Sequence, residues 1–148
     1  MPLVRIRRQR KMVACPPIEE FEKALKEVVE YYMNFLVKKA QLNAPIFKNI
    51  LRPSIHYDEV KRNYRGAWQM NLVASAISKS GYDYAQYMHD GTYSLGKLSA
   101  RQPGTEEGGV GNLFLKRVAE YWFKKHYLED LYEQRFDELM IKAGFRKK

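Results

Sequence analysis

Between Ile18 and Gln41 the chain reads IEEFEKALKEVVEYYMNFLVKKAQ. Its apolar residues Ile18, Phe21, Leu25, Val28, Tyr32 and Phe35 are spaced alternately by three and four. That spacing puts all six on one side of an α-helix. Glu19 and Glu20 in the first turn, with Lys38 and Lys39 in the last, suit the helix dipole. The stripe also fits a heptad, but only about three heptads are present, few for a coiled coil. A long amphipathic helix packed on the chain's own sheet is expected.

The pattern then changes period. Residues 43–63 hold Pro45 and Pro53 and read as a turn-prone connector with a short edge strand around Ser54–Val60. From Trp68 the chain alternates, with Trp68, Met70, Leu72, Ala74 and Ala76 on one face and Gln69, Asn71, Val73 and Ser75 on the other. Period two over that length predicts a half-buried strand, with Trp68 in the core. SKSGYD closes it with a turn, and YDYAQYMH is the return segment, a strand or a short helix.

Residues 82–112, YDYAQYMHDGTYSLGKLSARQPGTEEGGVGN, contain four tyrosines and six glycines and lose all periodicity after Met88. A compact domain seldom keeps so long an irregular stretch unless it has a task. Periodicity returns in LFLKRVAEYWFKKHYLEDLYEQRFDELMIKA, for which Asn112 is the expected N-cap and Gly144 the stop. Leu115, Val118, Ala119, Trp122 and Phe123 form one apolar face; Leu128, Leu131, Tyr132, Leu139 and Met140 form a second. One unbroken helix of that length is unusual, so a break is expected near His126. No internal repeat is present. The predicted fold is α+β: a small antiparallel sheet packed against a long N-terminal helix and a C-terminal helix, with a long flexible loop. The expected organisation is a basic arm over 1–17, one domain over 18–144 with the loop at about 92–111, and a basic tail over 145–148.

Composition narrows the reading. With 148 residues, 45% of them hydrophobic, the chain suffices for one packed domain. The single cysteine, Cys15, forms no internal disulfide. No apolar run approaches a membrane span, and the basic N-terminal stretch lacks the apolar segment of a signal peptide, so a soluble protein made in the cytoplasm is expected. The net charge is +9, but Arg5, Arg7, Arg8, Arg10 and Lys11 supply +5 and Arg146–Lys148 +3, leaving +1 for everything between. Charge held in tails touches phosphate or acidic partners non-specifically, or simply keeps the protein soluble.

Catalytic chemistry is hard to find. His56, His89 and His126 lie far apart, without metal-site spacing. His89-Asp90 has the composition of a base and its orienting carboxylate, although before a glycine that dipeptide more often makes a turn. No serine occupies a nucleophile elbow. PGTEEGGVGN lacks the Lys-Ser/Thr of a phosphate-cradling loop, and Glu106 and Glu107 would repel phosphate. The expectation is no enzyme, no metal and no cofactor. Tyr82, Tyr84 and Tyr87 could stack on single-stranded nucleic acid or dock on a protein, while a core-edge role is the plainer reading.

Two stretches together resemble the small tail-completion or neck proteins at the head–tail junction of long-tailed bacteriophages. In NYRGAWQMNLVA, Gly66, Trp68 and Gln69 stand where that family has a glycine and an aromatic leading into a strand. In YDYAQYMHDGTYSLGK, Tyr84, Ala85, Tyr87, Met88, Asp90, Gly91 and Thr92 match its Tyr-Ala segment, acidic residue, glycine and mobile stretch. GNLFLKRVAEYW is similar to the apolar start of the family's second helix, and the likeness covers about residues 18–125. His89-Asp90 stands where a glutamate and an apolar residue usually precede the glycine, and the extension beyond His126 is longer than expected.

The resemblance implies a structural virion protein that forms a ring under the portal, joins it to the tail, and is made in the host bacterial cytoplasm. The long loop would then be an arm reaching a neighbouring subunit, free before assembly and ordered on docking. Tyr93, Leu95, Lys97, Leu98 and Arg101 would be its anchors, and deletion of residues 95–109 would leave the fold stable. Lys97 and Arg101, or Arg5, Arg7, Arg8 and Arg10, could face packaged DNA. The alternative reading is a nucleic-acid-binding accessory protein using its basic termini.

Overall fold

The computed structural model describes backbone and side chains for residues 17–46, 50–59, 61–62, 64–65, 69–77 and 79–145, and the backbone alone at 3–6, 11–14 and 68. Strands β1 (Leu3–Ile6) and β2 (Lys11–Ala14) pair antiparallel, with Leu3 opposite Ala14 and Ile6 opposite Lys11. Helix α1 runs Ile18–Asn43. Then follow α2 (Leu51–Ser54), β3 (His56–Tyr57), β4 (Lys61–Arg62), β5 (Trp68–Gln69), β6 (Leu72–Val73), α3 (Tyr84–Asp90), α4 (Lys97–Ala100), α5 (Phe114–Lys124) and α6 (Tyr127–Lys142). The α+β class stands, with short antiparallel ladders and a long N-terminal helix packed with the C-terminal helical region.

Contacts divide the chain into two compact units, residues 31–125 and residues 1–30 with 126–148, and α1 contributes to both. In the larger unit α1 buries Tyr32, Met33, Leu36 and Ala40. Phe114 and Val118 of α5 are wholly buried, as are Leu51 of α2 and Ile55 just after it. Each such side chain contributes roughly 1.5–3 kcal/mol by leaving water. Phe35 meets Trp122 edge to face at 4.7 Å, joining α1 to α5. In the smaller unit Ala24, Val28 and Val29 of α1 and Leu139 of α6 are buried; Phe21 lies 5.8 Å from Phe136, and Glu27 meets Arg135 at 3.5 Å.

The buried side of α1 differs from the predicted stripe. Ile18 is 72% exposed and Leu25 is also exposed, while Ala24, Val28, Tyr32, Leu36 and Ala40 form the inner row. That row advances by four residues per step, one of the two ridges by which helices interlock. Ala24 and Ala40, weak as hydrophobic signals, are both buried in that row. The helix also continues to Asn43, so Lys38 and Lys39 precede its last turn. Its end is closed from outside: Arg52 donates through Nε to the Ala44 carbonyl at 2.8 Å and through Nη2 to that of Leu42 at 3.4 Å.

The expected edge strand and the alternating strand are present as one hairpin with a slip in it. Tyr57 pairs with Leu72, and Lys61 with Gln69. Three residues therefore intervene on one side and two on the other, the signature of a β-bulge. The gap keeps a backbone bond from the Asp58 N–H to the Asn71 carbonyl at 2.9 Å, and Asn71 Nδ2 donates to Asp58 Oδ2 at 3.3 Å. The inner half, β3–β6, is joined to α1 by Gln41 Nε2 donating to the Ile55 carbonyl at 3.4 Å, and it leads into buried Ala76. In the outer half, β4–β5, Lys61, Arg62 and Gln69 are all exposed. The expected inner face is present from Met70 on, with Met70, Leu72 and Ala74 half-buried and Ala76 buried, while Gln69 and Asn71 opposite are exposed and Val73 and Ser75 half-buried. The extra residue lies in the partner strand and leaves this alternation intact. The Trp68 side chain lies outside the described residues.

The second long helix breaks where expected. His126 takes φ 54°, a left-handed conformation that separates α5 from α6. Gly144, at φ 99°, stops α6, as its sequence position predicts. The N-terminal boundary of α5 differs: its cap is Leu113 at φ 53°, with no side-chain hydrogen bond, and Asn112 lies one residue outside. A branched residue in this region is strained and needs outside support. The Leu113 N–H donates to the His89 carbonyl at 2.6 Å, supplying it.

Candidate partner-binding site

The return segment YDYAQYMHD folds as α3. Asp83 is its N-cap, accepting from the Ala85 N–H at 2.9 Å, and the same carboxylate accepts from the Ala76 N–H at 3.0 Å. One side chain thus sets both the start of α3 and its seat against the end of the hairpin. Ala85 is buried at 3% exposure, which explains a small residue after Tyr84. Gly91 ends the helix with its N–H on the Tyr87 carbonyl at 2.7 Å, and a Cβ there would stand 2.5 Å from that oxygen. Of the residues that carry the family resemblance, Tyr84 is half-buried, Tyr87, Asp90 and Thr92 are exposed, and Gly66 lies outside the described residues.

His89 is spoken for structurally. Its Nδ1 lies 2.7 Å from Asp90 Oδ1, its Nε2 accepts from the Lys116 N–H at 3.3 Å, and its ring stands edge-on to Phe114 at 5.1 Å. Nε2 and the ring therefore join α3 to the start of α5, while Nδ1, which carries the proton when Nε2 accepts, bonds Asp90 within α3. Among the described residues no group of three or more His, Cys, Asp or Glu could hold a metal ion.

The five candidate anchors separate into two sets. Tyr93 is half-buried, donates its hydroxyl to the Met88 carbonyl and lies 6.0 Å from the Tyr87 ring. Burial pushes its phenol up to about 12, with Arg117 opposing and Tyr87 assisting. Leu95 is also half-buried. Lys97, Leu98 and Arg101 are exposed together on and beside α4, Leu98 at 63%. Ile77 at 61%, Tyr82 at 54% and Tyr87 at 49% are further large side chains left exposed on this unit. Tyr82 and Tyr84 meet edge to face at 4.8 Å. Arg5 lies on β1 opposite Met12, its side chain outside the described residues, as are Arg7, Arg8 and Arg10.

The second half of the loop is held down, contrary to the free arm implied above. The Ile46 N–H donates to the buried Ser99 hydroxyl at 2.9 Å, Asn43 Nδ2 donates to Thr105 Oγ1 at 2.8 Å, and the Gly111 N–H donates to the Asn43 carbonyl at 3.0 Å. Arg117 Nη2 donates to the Gly109 carbonyl at 2.9 Å. Glu107, read from sequence only as a residue hostile to phosphate, is fully buried through its side chain. It accepts from Trp122 Nε1 and faces Lys39 Nζ at 4.0 Å, and Glu106 meets the same ammonium at 3.4 Å. Lys39 also lies 5.5 Å from the Phe35 and Trp122 rings. Asn43, Lys39, Glu107 and Trp122 were invisible as a group in the sequence, because they come from three segments and form no local pattern.

Among the described residues no helix is long and apolar enough to cross a membrane. Compared with protein-family models, with curated proteins and with solved structures, the chain finds no match.

Proposed function

We propose that the protein is a structural subunit of a bacteriophage head–tail junction, assembling with copies of itself and with portal and tail proteins. The observation that carries this reading is the set of large side chains left in solvent on one unit, Ile77, Tyr82, Tyr87 and Leu98, together with exposed Lys97 and Arg101 on and beside α4. Aromatic and apolar surface interspersed with cations is the composition of a protein–protein contact. Tyr82, Tyr87 and Lys97 lie on one of the stretches that carry the family resemblance. The order of long helix, hairpin, Tyr-Ala helix, loop and second helix agrees with the reading. Because the loop is held at Ser99, Thr105 and Glu107, docking uses the outer side of α4 on a preformed surface, not a free arm.

The test is quantitative mass spectrometry of purified particles from the source. A fixed copy number in whole-ring ratio to the portal supports the reading, and absence from particles ends it. Within particles, Leu98→Asp should leave the folded chain intact yet block incorporation. Normal incorporation of that variant would remove α4 from the contact.

A further inference from the structure

The bulge in the hairpin has a geometrical consequence. Bulges increase local twist and re-aim the side chains beyond them. Inside the slip, Tyr57, Leu72 and Val73 are half-buried; outside it, Lys61, Arg62, Tyr64, Arg65 and Gln69 are all exposed. Charge divides at the same place. Asp58 and Glu59 lie at the slip, whereas Lys61, Arg62 and Arg65 lie beyond it, and no acid occurs between Lys61 and Gln69. A near-neutral body average hides this concentration.

Tyr64 is 90% exposed, and the Arg65 guanidinium lies over its ring at 5.3 Å. An aromatic held so far into solvent contributes little to folding, and the stacked guanidinium keeps the pair together as one broad cationic surface. We propose that Lys61, Arg62, Tyr64 and Arg65, in the outer half of the hairpin, form a contact for double-stranded nucleic acid. A two-stranded ribbon fits the major groove, whose width is about 12 Å. Lys61, Arg62 and Arg65 meet phosphates on its walls, and Tyr64 fills the groove between them. Asp58 and Glu59 repel the same phosphates, so the half beyond the slip leads the approach. The assignment does not depend on the head–tail reading and differs from a role for the termini, since these residues belong to an ordered element of the body.

The experiment measures binding of the full chain to a short fluorescent duplex across a salt series. Each phosphate contact contributes about 0.9 to the slope of log affinity against log salt. The Lys61→Gln, Arg62→Gln, Arg65→Gln triple variant should therefore lose about 2 to 3 from that slope, while Arg62→Lys with Arg65→Lys retains it. Thermal melts of both variants separate loss of charge from loss of fold. Tyr64→Ala should bind several-fold more weakly with the slope unchanged, and Tyr64→Phe should restore affinity. Four results would overturn the proposal, the first three being no binding by the native chain at low salt, an unchanged slope in the triple variant, or competition by polyglutamate equal to that of duplex at matched charge. The third would make the hairpin a site for acidic protein. A slope carried wholly by Arg5, Arg7, Arg8 and Arg10, shown by substituting those four with Gln, also rejects it.

Discussion

In the irregular segment between Gly91 and Leu113, Ser99 and the Glu107 side chain are buried. Hydrogen bonds there reach partners 53 to 67 residues away along the chain. In helix α6, which carries Leu128, Leu131, Tyr132, Phe136, Leu139, Met140 and Ile141, only Leu139 is buried among these, while Phe136 and Ile141 are more than half exposed. The irregular segment is the more deeply integrated of the two. Ordering glycine-rich chain costs the most backbone entropy, so it stays ordered only where side chains make strong, specific bonds. A regular helix satisfies its own backbone and can persist with one face in water. Integration in this protein follows long-range polar bonds more closely than it follows apolar periodicity.

The largest test of that difference removes the segment. Deleting residues 97–109 removes Thr105 from Asn43, both carboxylates from Lys39, the Glu107 acceptor from the Trp122 indole N–H and the Gly109 carbonyl from Arg117. The loss should exceed about 3–5 kcal/mol, the usual cost of breaking one buried ion pair. Denaturant unfolding together with hydrogen exchange in α5 measures it. Retention of native stability would return the segment to the role of a free arm and dissolve the contrast with α6.

A sharper version removes one carboxylate. Glu107→Ala removes the acceptor of the Trp122 indole N–H and one of the two carboxylates facing the Lys39 ammonium. Because Lys39 keeps 24% exposure and Glu106, the loss should fall near the lower end of that range, about 3 kcal/mol. Glu107→Gln keeps an acceptor for Trp122 and should lose less. Equal losses in the two variants would assign the effect to packing.

These outcomes bear on what the sequence can disclose. Helix α1, the break at His126 and the stop at Gly144 were legible because each depends on neighbours a few positions away: apolar spacing, helix length, or a glycine that tolerates positive φ. The boundary at Leu113 was not, since the strain there is held by the bond its N–H donates to the His89 carbonyl in another helix. The hairpin was legible as two strands but its slip was not, because alternation continues unbroken from Trp68 to Ala76 while the pairing shifts by one. Of the candidate contact residues, Leu98, Lys97 and Arg101 could be picked as exposed from their polar surroundings. Tyr93 and Leu95 looked the same in sequence, and only tertiary contact covers them. The Lys39–Glu107–Trp122 cluster had no local signal.

A smaller effect separates Tyr93 from its exposed neighbours. Its phenol titrates at about 12 in the folded chain against 10.0 for an ordinary tyrosine, first because it is buried. The unfolded chain therefore loses this proton before the folded chain does. The stabilising contribution is complete below pH 10 and is lost as pH rises from 10 towards 12. Tyr93→Phe should remove the hydrogen bond to the Met88 carbonyl, about 1 kcal/mol near neutrality, and flatten the alkaline decline. Parallel alkaline curves for the two proteins would place Tyr93 in water with Tyr87.

The smallest expected effect lies on α6. Phe136 is 52% exposed, and its only recorded ring contact among the described residues is the tilted one with Phe21. Truncation to Ala removes part of that aromatic pair, worth about 0.5–1.5 kcal/mol, while replacing an aromatic by the best helix former returns some of the difference. The net change in unfolding free energy should be about 1 kcal/mol or less, against about 3 for Glu107→Ala. That ratio matters more than either number, because the two substitutions remove a large apolar ring and a charged side chain respectively. If hydrophobic area alone governed stability here, Phe136→Ala would be the costlier change. A loss at Phe136 equal to or above that at Glu107 would mean α6 is as deeply integrated as the irregular segment, and the contrast between the two regions would fail.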